Sequence, residues 1–200
     1  SRNIPAIQLT SQLKQKSLYQ LLQMAGVKNL RSEKTYGLGV TLGTAEMTPE
    51  DVGGMYTALY HLGDWAPLKW QVNQPDQEHQ RLLSPESSFL VLDMLTDSIR
   101  DTSSLIDEQL KSKFPMAWKT GTSYGFRDAW TAGVFGPYVL VVWLGNFDFS
   151  DNPSLIGRDM ASPLFFKIAE LFSPKVLADN GSWKNSFGLN LKKVDVCAVS

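Results

Sequence analysis

Leu18, Leu21, Leu22 and Ala25 recur at i, i+3, i+4 and i+7, the spacing that lines one face of an α-helix, and Gly26 follows where a helix end favours a left-handed residue. A short amphipathic helix is predicted there. Residues 4–13 are rich in helix formers, with Pro5 suited to a first helical position and a polar break around Gln15 and Lys16, so a helix is predicted near the start of the chain. Val52, Met55, Tyr56 and Leu59 share a face behind Thr48, Pro49 and Asp51, which read as a cap, a first-turn proline and the reciprocal acid of a capping box; Gly63 marks the stop. Ser84 and Pro85 repeat the start signal before Phe89, Leu92, Leu95 and Ile99, with the polar stretch 97–104 closing that helix. Residues 36–45 carry Gly37, Gly39 and Gly43 among small and β-branched residues, which predicts an irregular connection.

From Met116 onward the pattern changes to short extended runs. Strands are predicted at 116–123, 129–135 and 138–144, the last two joined by a Gly136-Pro137 turn, which makes an antiparallel meander. Ser162 and Pro163 open a last helix through Phe172 that could lie on one face of this sheet. Residues 189–200 read as extended, a linker toward a further domain, leaving 1–188 as one unit. The predicted class is α+β, an antiparallel sheet with flanking helices.

The chain of 200 residues is 43% apolar and 20% charged, enough for one globular domain. Lys and Arg number 19 against 20 for Asp and Glu, a formal charge of -1, so no basic field exists to hold nucleic acid. The longest apolar runs, 138–144 and 163–166, are far shorter than the roughly 20 residues that cross a bilayer. The single cysteine, Cys197, excludes an internal disulfide and a thiolate zinc site. No leader opens the chain, which starts inside a segment that reads as structured, so an N-terminal part is expected to lie outside it.

Candidate chemistry concentrates at Lys119-Thr120-Gly121-Thr122, followed by Ser123-Tyr124-Gly125. An extended segment that joins an ammonium, two hydroxyls and a glycine open to close approach can bind an anion such as a carboxylate. The same residues also suit a simple edge strand, where lysine deters aggregation and threonine fits the pleat. Ser1 and Asn3 stand two positions apart before Ile4-Pro5; alone, they read as a helix cap. His61 sits near a helix end and His79 in a polar loop, without an acid-and-nucleophile set in sequence. Asp148, Asp151 and Asp159 lack calcium-loop spacing and read as turn residues, so no metal is expected. Arg127 and Asp128 read as a surface or groove-edge pair, and Trp118 and Trp130 as the two tryptophans flanking the candidate groove.

Ser1-x-Asn3 followed by Lys119-Thr120-Gly121 resembles, in order, the second and third elements of the S-x-x-K, S-x-N and K-T-G set of penicillin-binding proteins. Ser1 to Ala6, Leu83-Ser84-Pro85-Glu86, Trp118 to Ser123 and Phe126 to Gly133 are similar to the transpeptidase domain of a class A penicillin-binding protein. Val194 to Ser200 resembles a passage that leads into an extra C-terminal domain in one subgroup of that family. Leu42-Gly43-Thr44 departs from it, where related sequences tend to carry a Gly-Gly pair.

The resemblance implies a penicillin-binding/β-lactamase-like transpeptidase fold with its N-terminal part missing. It also implies serine acyl transfer that cross-links peptidoglycan stem peptides and is inhibited by β-lactams, without a cofactor. Lys119, Thr120 and Thr122 would hold the donor's terminal carboxylate, with Gly121, Ser123 and Tyr124 lining the site. The Thr122 N–H would be one oxyanion donor, Ser1 a proton relay, and Asn3 an orienting amide. No S-x-x-K precedes Ser1, and Ser11-Gln12-Leu13-Lys14 comes after the S-x-N element, so the nucleophile is expected outside these residues and the chain alone inactive. The full protein would be a bifunctional, inner-membrane-anchored synthase facing the periplasm. The rival expectations are a β-lactamase-like hydrolase or sensor, and a non-catalytic stem-peptide-binding module.

Overall fold

The structure, a computed structural model, describes residues 2–13, 16–97, 114–148, 150–178 and 188–194. Three short helices open it: α1 (Asn3–Ser11), α2 (Leu18–Met24) and α3 (Glu33–Tyr36). Ser17 and Gln20 close a capping box on α2, and Ser32 caps α3. α1 starts differently from the sequence expectation: Arg2 is its cap residue with no side-chain bond, and Asn3 is already helical. Residues 36–45 also correct the prediction, because Gly37–Leu42 forms a regular 3-10 turn that packs on α1. The glycines at its two ends take positive φ and let this tight coil begin and stop within six residues.

α4 (Pro49–Tyr60) has the predicted capping box: the Asp51 N–H donates to Thr48 Oγ1 at 3.1 Å and the Thr48 N–H to Asp51 Oδ2 at 2.9 Å. Gly63 ends it at φ +89°, its N–H donating to Ala58 O. β1 (Asp64–Trp65) and β2 (Gln80–Arg81) then form a small antiparallel hairpin that the sequence pattern does not announce. Ser84 Oγ accepts from the Ser87 N–H and starts α5 (Pro85–Asp97); of the predicted close at 97–104, Asp97 is still helical and the rest lies outside the described residues.

β3 (Met116–Thr122), β4 (Asp128–Phe135) and β5 (Tyr138–Gly145) form the predicted meander in the order β3-β4-β5. Phe135 pairs with Tyr138 across the Gly136-Pro137 turn. A π-turn (Gly157–Ala161) leads into α6 (Ser162–Ala178), which continues past the predicted end at Phe172 and contains Pro174.

Period-two alternation divides the sheet between two cores. Met116, Trp118, Ala129, Phe135 and Val142 pack with Phe165, Phe166 and Ala169 of α6. Ala117 and Val134 pack on the other face with Leu92 of α5, beside Tyr56 and Leu59 of α4. The tail 188–194 runs back past α5, where the Asn190 N–H donates to Glu86 Oε1 at 3.3 Å.

Leu92 is 1% exposed and Met94, two residues on, 64%. Leu92→Ala is expected to lower the unfolding free energy by about 2–5 kcal/mol through lost burial and a cavity, and Met94→Ala by less than about 0.5 kcal/mol. Urea denaturation of both variants checks this; equal losses would contradict the placement of α5.

Candidate functional site

β3 hydrogen-bonds to β4 along one edge and has no strand partner on the other among the described residues. The Ser123 N–H donates to Asp128 O across the end of that pairing. Backbone groups of alternate residues point to the same edge, so Gly121 and Lys119 also face β4, while Thr120 and Thr122 present theirs to the open edge. Gly121 sits opposite Trp130, and a Cβ added to it would make only ordinary contact at 3.6 Å with Trp130 Cβ.

Lys119 leaves the strand on the α4/α5 face, yet its Nζ turns back and donates to Thr120 O at 2.7 Å. That carbonyl lies on the open edge, so the ammonium does too. No carboxylate is recorded against it among the described residues, and partial burial holds its pKa below the ordinary lysine value. A partly buried cation with no carboxylate against it among the described residues, on the same strand edge as outward N–H groups, has the chemistry to attract an anion. Thr122 projects to the α6 face, where its Oγ1 accepts from the Gly157 N–H at 3.0 Å. Ser123 Oγ accepts from the Asp128 N–H at 2.9 Å and ties the β3–β4 turn, and Tyr124 at its tip is 96% exposed.

The structure thus places the Thr120 and Thr122 backbone groups and the Lys119 ammonium at the open edge, turns the backbone of Gly121 to β4, and puts Ser123 and Tyr124 at the end of the strand. Ser1 lies outside the described residues. Asn3 is exposed on the first turn of α1, whose packing partner is the 3-10 turn, and no described hydrogen bond joins it to the β3 edge. Trp118 is corrected as a groove residue: at 3% exposure it sits in the α6 core, edge-on to Phe166 with ring centres 4.9 Å apart. Trp130 lies on the opposite, Lys119-bearing face beside Trp143, 6.2 Å between centres. The hydrogen-bonded partner of Arg127 is Asp151, to whose Oδ1 its Nε donates at 2.6 Å, while Asp128, a nearby charge, accepts at Oδ1 from Trp143 Nε1 at 2.9 Å.

Two features escaped the sequence reading. His79 Nδ1 lies 2.6 Å from Asp64 Oδ2 across the small hairpin, which holds the Asp64 carboxyl below its usual range. Gly157 reaches Thr122 from 35 residues away. Loop lengths carry no signal for either contact.

No family model matches the chain. Penicillin-binding protein 1C of Escherichia coli is 32% identical over 169 residues, which is 84% of this chain and 21% of the relative. Penicillin-binding protein 1B of Vibrio cholerae is 28% identical over 159 residues, 74% of this chain and 20% of the relative. The chain therefore spans about a fifth of the length of these relatives. Among solved structures, PonA1 of Mycobacterium tuberculosis in complex with penicillin V superposes with a TM-score of 0.56 at 17% identity, over 87% of this chain and half of the other.

Burial penalises the charged form of Lys119, and this predicts a pH signature. Its folded pKa lies below its unfolded one, so the unfolded chain binds the proton more readily between the two values and stability rises with pH through that window. Lys119→Met is expected to unfold at an equal or higher temperature than the wild type at pH 7. The wild type should gain on the variant as pH approaches about 10.4, the unperturbed lysine value. A difference independent of pH in thermal unfolding would contradict the buried charge.

Proposed function

The chain is a relative of the class A penicillin-binding proteins and has their transpeptidase fold, and from that premise we propose that it supplies the substrate-holding side of a D,D-transpeptidase site. The observation that carries this reading is the Lys119 ammonium, turned onto the open β3 edge beside Thr122 with no carboxylate against it among the described residues.

In this assignment the donor stem peptide lays its D-alanyl-D-alanine end along β3. Lys119 and the hydroxyls of Thr120 and Thr122 hold the terminal carboxylate through charge-assisted hydrogen bonds. Gly121 admits the peptide backbone, with Ser123 and Tyr124 at the turn. In this proposal the nucleophilic serine is supplied by polypeptide outside these 200 residues. Its oxygen bonds to the carbonyl between the two alanines, the carbon–nitrogen bond breaks, and Ser1 relays a proton to the departing D-alanine amine. The outward N–H of Thr122 donates to the oxyanion, the serine's own N–H being the second donor; one such donor is worth about 3 kcal/mol. Asn3 orients the donor amide. An acceptor amine then takes the acyl group and frees the serine. A β-lactam enters as a mimic of the same acidic terminus.

β5 supports a second part of the proposal. It is an eight-residue apolar edge, Tyr138–Gly145, with no strand beyond it among the described residues. Such an edge invites aggregation unless covered. The cover assigned to it is an N-terminal segment of the same protein, in a periplasmic, membrane-anchored parent. Residues 1–188 form the C-terminal part of the transpeptidase domain, and 189–200 lead toward a further domain.

Fluorescent penicillin tests the reading on this chain and on an N-terminally extended form. Label is expected on the extended form alone. Lys119→Ala in that form is expected to slow acylation by about 10- to 100-fold, the loss of a hydrogen bond to a charged group. An extended form that never labels, or labelling unmoved by Lys119→Ala, would overturn it.

A further inference from the structure

We propose that two buried hydroxyls, Thr131 and Ser162, acting through the backbone of Gly157, aim the Thr122 hydroxyl outward as a donor and so make the β3 edge select a carboxylate over a carboxamide. The inference rests on the assignment of that edge to a carboxylate-bearing peptide and names what sets its preference.

Thr131 and Ser162 are both 0% exposed, in the layer between the sheet and α6 that is otherwise built from Trp118, Phe165, Phe166 and Ala169. Buried hydroxyls are unfavourable unless hydrogen-bonded. Their oxygens lie 3.1 Å apart, Ser162 Oγ is 3.2 Å from Gly157 O, and Thr131 Oγ1 is 3.4 Å from it. Only one proton fits between the two hydroxyls. The shorter path has Thr131 donating to Ser162 and Ser162 donating to the Gly157 carbonyl. This last bond spans five residues, the spacing of the π-turn that the 157–161 segment adopts.

On its other side Gly157 donates its N–H to Thr122 Oγ1 at 3.0 Å. The residue has no room to drift toward the sheet. An added Cβ would lie 2.2 Å from Gly121 O and 2.7 Å from Trp130 O, so the bare backbone is pressed onto the β3–β4 pair. Gly157 is thus gripped at its carbonyl by the buried hydroxyls and delivers its N–H to one rotamer of Thr122.

A threonine hydroxyl has one proton and two lone pairs. With a lone pair held by Gly157 on the α6 side, the proton points away from that N–H, toward the exposed end of β3 where the Thr122 N–H also emerges. A carboxylate oxygen accepts from that hydroxyl and from the Lys119 ammonium, while the Thr122 N–H is kept for the oxyanion. A carboxamide that turns its NH2 to this place meets donors with a donor, the mismatch that gives polar sites their discrimination. Thr131 and Ser162 touch no ligand; they are positioning residues.

The test uses the full 200-residue chain in solution. NMR couplings and methyl relaxation report the Thr122 side-chain rotamer without ligand, and titrations follow N-acetyl-D-alanyl-D-alanine and its C-terminal amide. In the wild type a single Thr122 rotamer and tighter binding of the acid than of the amide are expected. Thr131→Val and, as the milder change, Ser162→Ala should each let the rotamer average and weaken the acid by about tenfold, one hydrogen bond to a charged group, with the amide unchanged. Thr131→Ser should restore both readouts. A Thr122 rotamer unmoved by either variant overturns the inference and leaves the assignment of the edge standing, as does equal weakening of acid and amide. A wild-type chain with a locked Thr122 that does not bind the acid overturns the carboxylate assignment and, with it, the selectivity proposed here.

Discussion

A pleated strand has two faces and two edges, and among the described residues three of these four sides of β3 are packed or paired and one edge has no strand partner. Its Met116–Trp118 side is buried against α6, its Ala117 side against α5, and one edge is hydrogen-bonded to β4. What remains is a line of outward N–H and C=O groups at Thr120 and Thr122. Because the strand cannot roll without breaking one of its three packed sides, those groups keep a fixed direction. Lys119 adds charge to the same line by turning around the strand onto the Thr120 carbonyl. Preorganised donors of this kind act without reorganising when negative charge arrives.

The layer beneath shows how far that fixing extends. Apolar packing alone would fill the space between the sheet and α6, yet Thr131 and Ser162 place two hydroxyls there and turn them on one backbone carbonyl. Burying a polar group is tolerated when it is hydrogen-bonded and tends to specify one arrangement of its neighbours. Here the neighbour is Gly157, and its absent side chain allows the π-turn to lie against the strand pair. The chain from core hydroxyls to Gly157 to Thr122 links packing to the chemistry of the exposed edge in two residue contacts.

The two outer edges of the sheet differ in kind. β3 carries lysine, threonine and glycine, the residues assigned above to a small polar ligand. β5 carries valine and leucine side chains that pack into the cores on both faces of the sheet, and its outer edge has no strand partner among the described residues.

Local physics made much of this legible. Thr48 with Asp51, and Ser84 with Pro85, mark helix starts through bonds made within four residues. The Gly136-Pro137 turn sets the β4–β5 register on its own, and Lys119-Thr120-Gly121 declares its chemistry by composition. The 3-10 turn, the β1–β2 hairpin and the onward course of α6 past Phe172 depend instead on what packs beside them. So do the tryptophans. Trp118 and Trp130 look alike in the chain, and only the pairing of β3 with β4 puts one in the core and the other on the Lys119 face. Arg127 finds Asp151, His79 finds Asp64, and Thr122 finds Gly157, each across a loop whose path no periodicity encodes. Sequence alone determined the class of elements and where charge and hydroxyls concentrate on one strand, because caps, turns and side-chain chemistry act over a few residues. Tertiary structure decided which way those residues point, because direction depends on the edge and face a strand has left after its neighbours have packed.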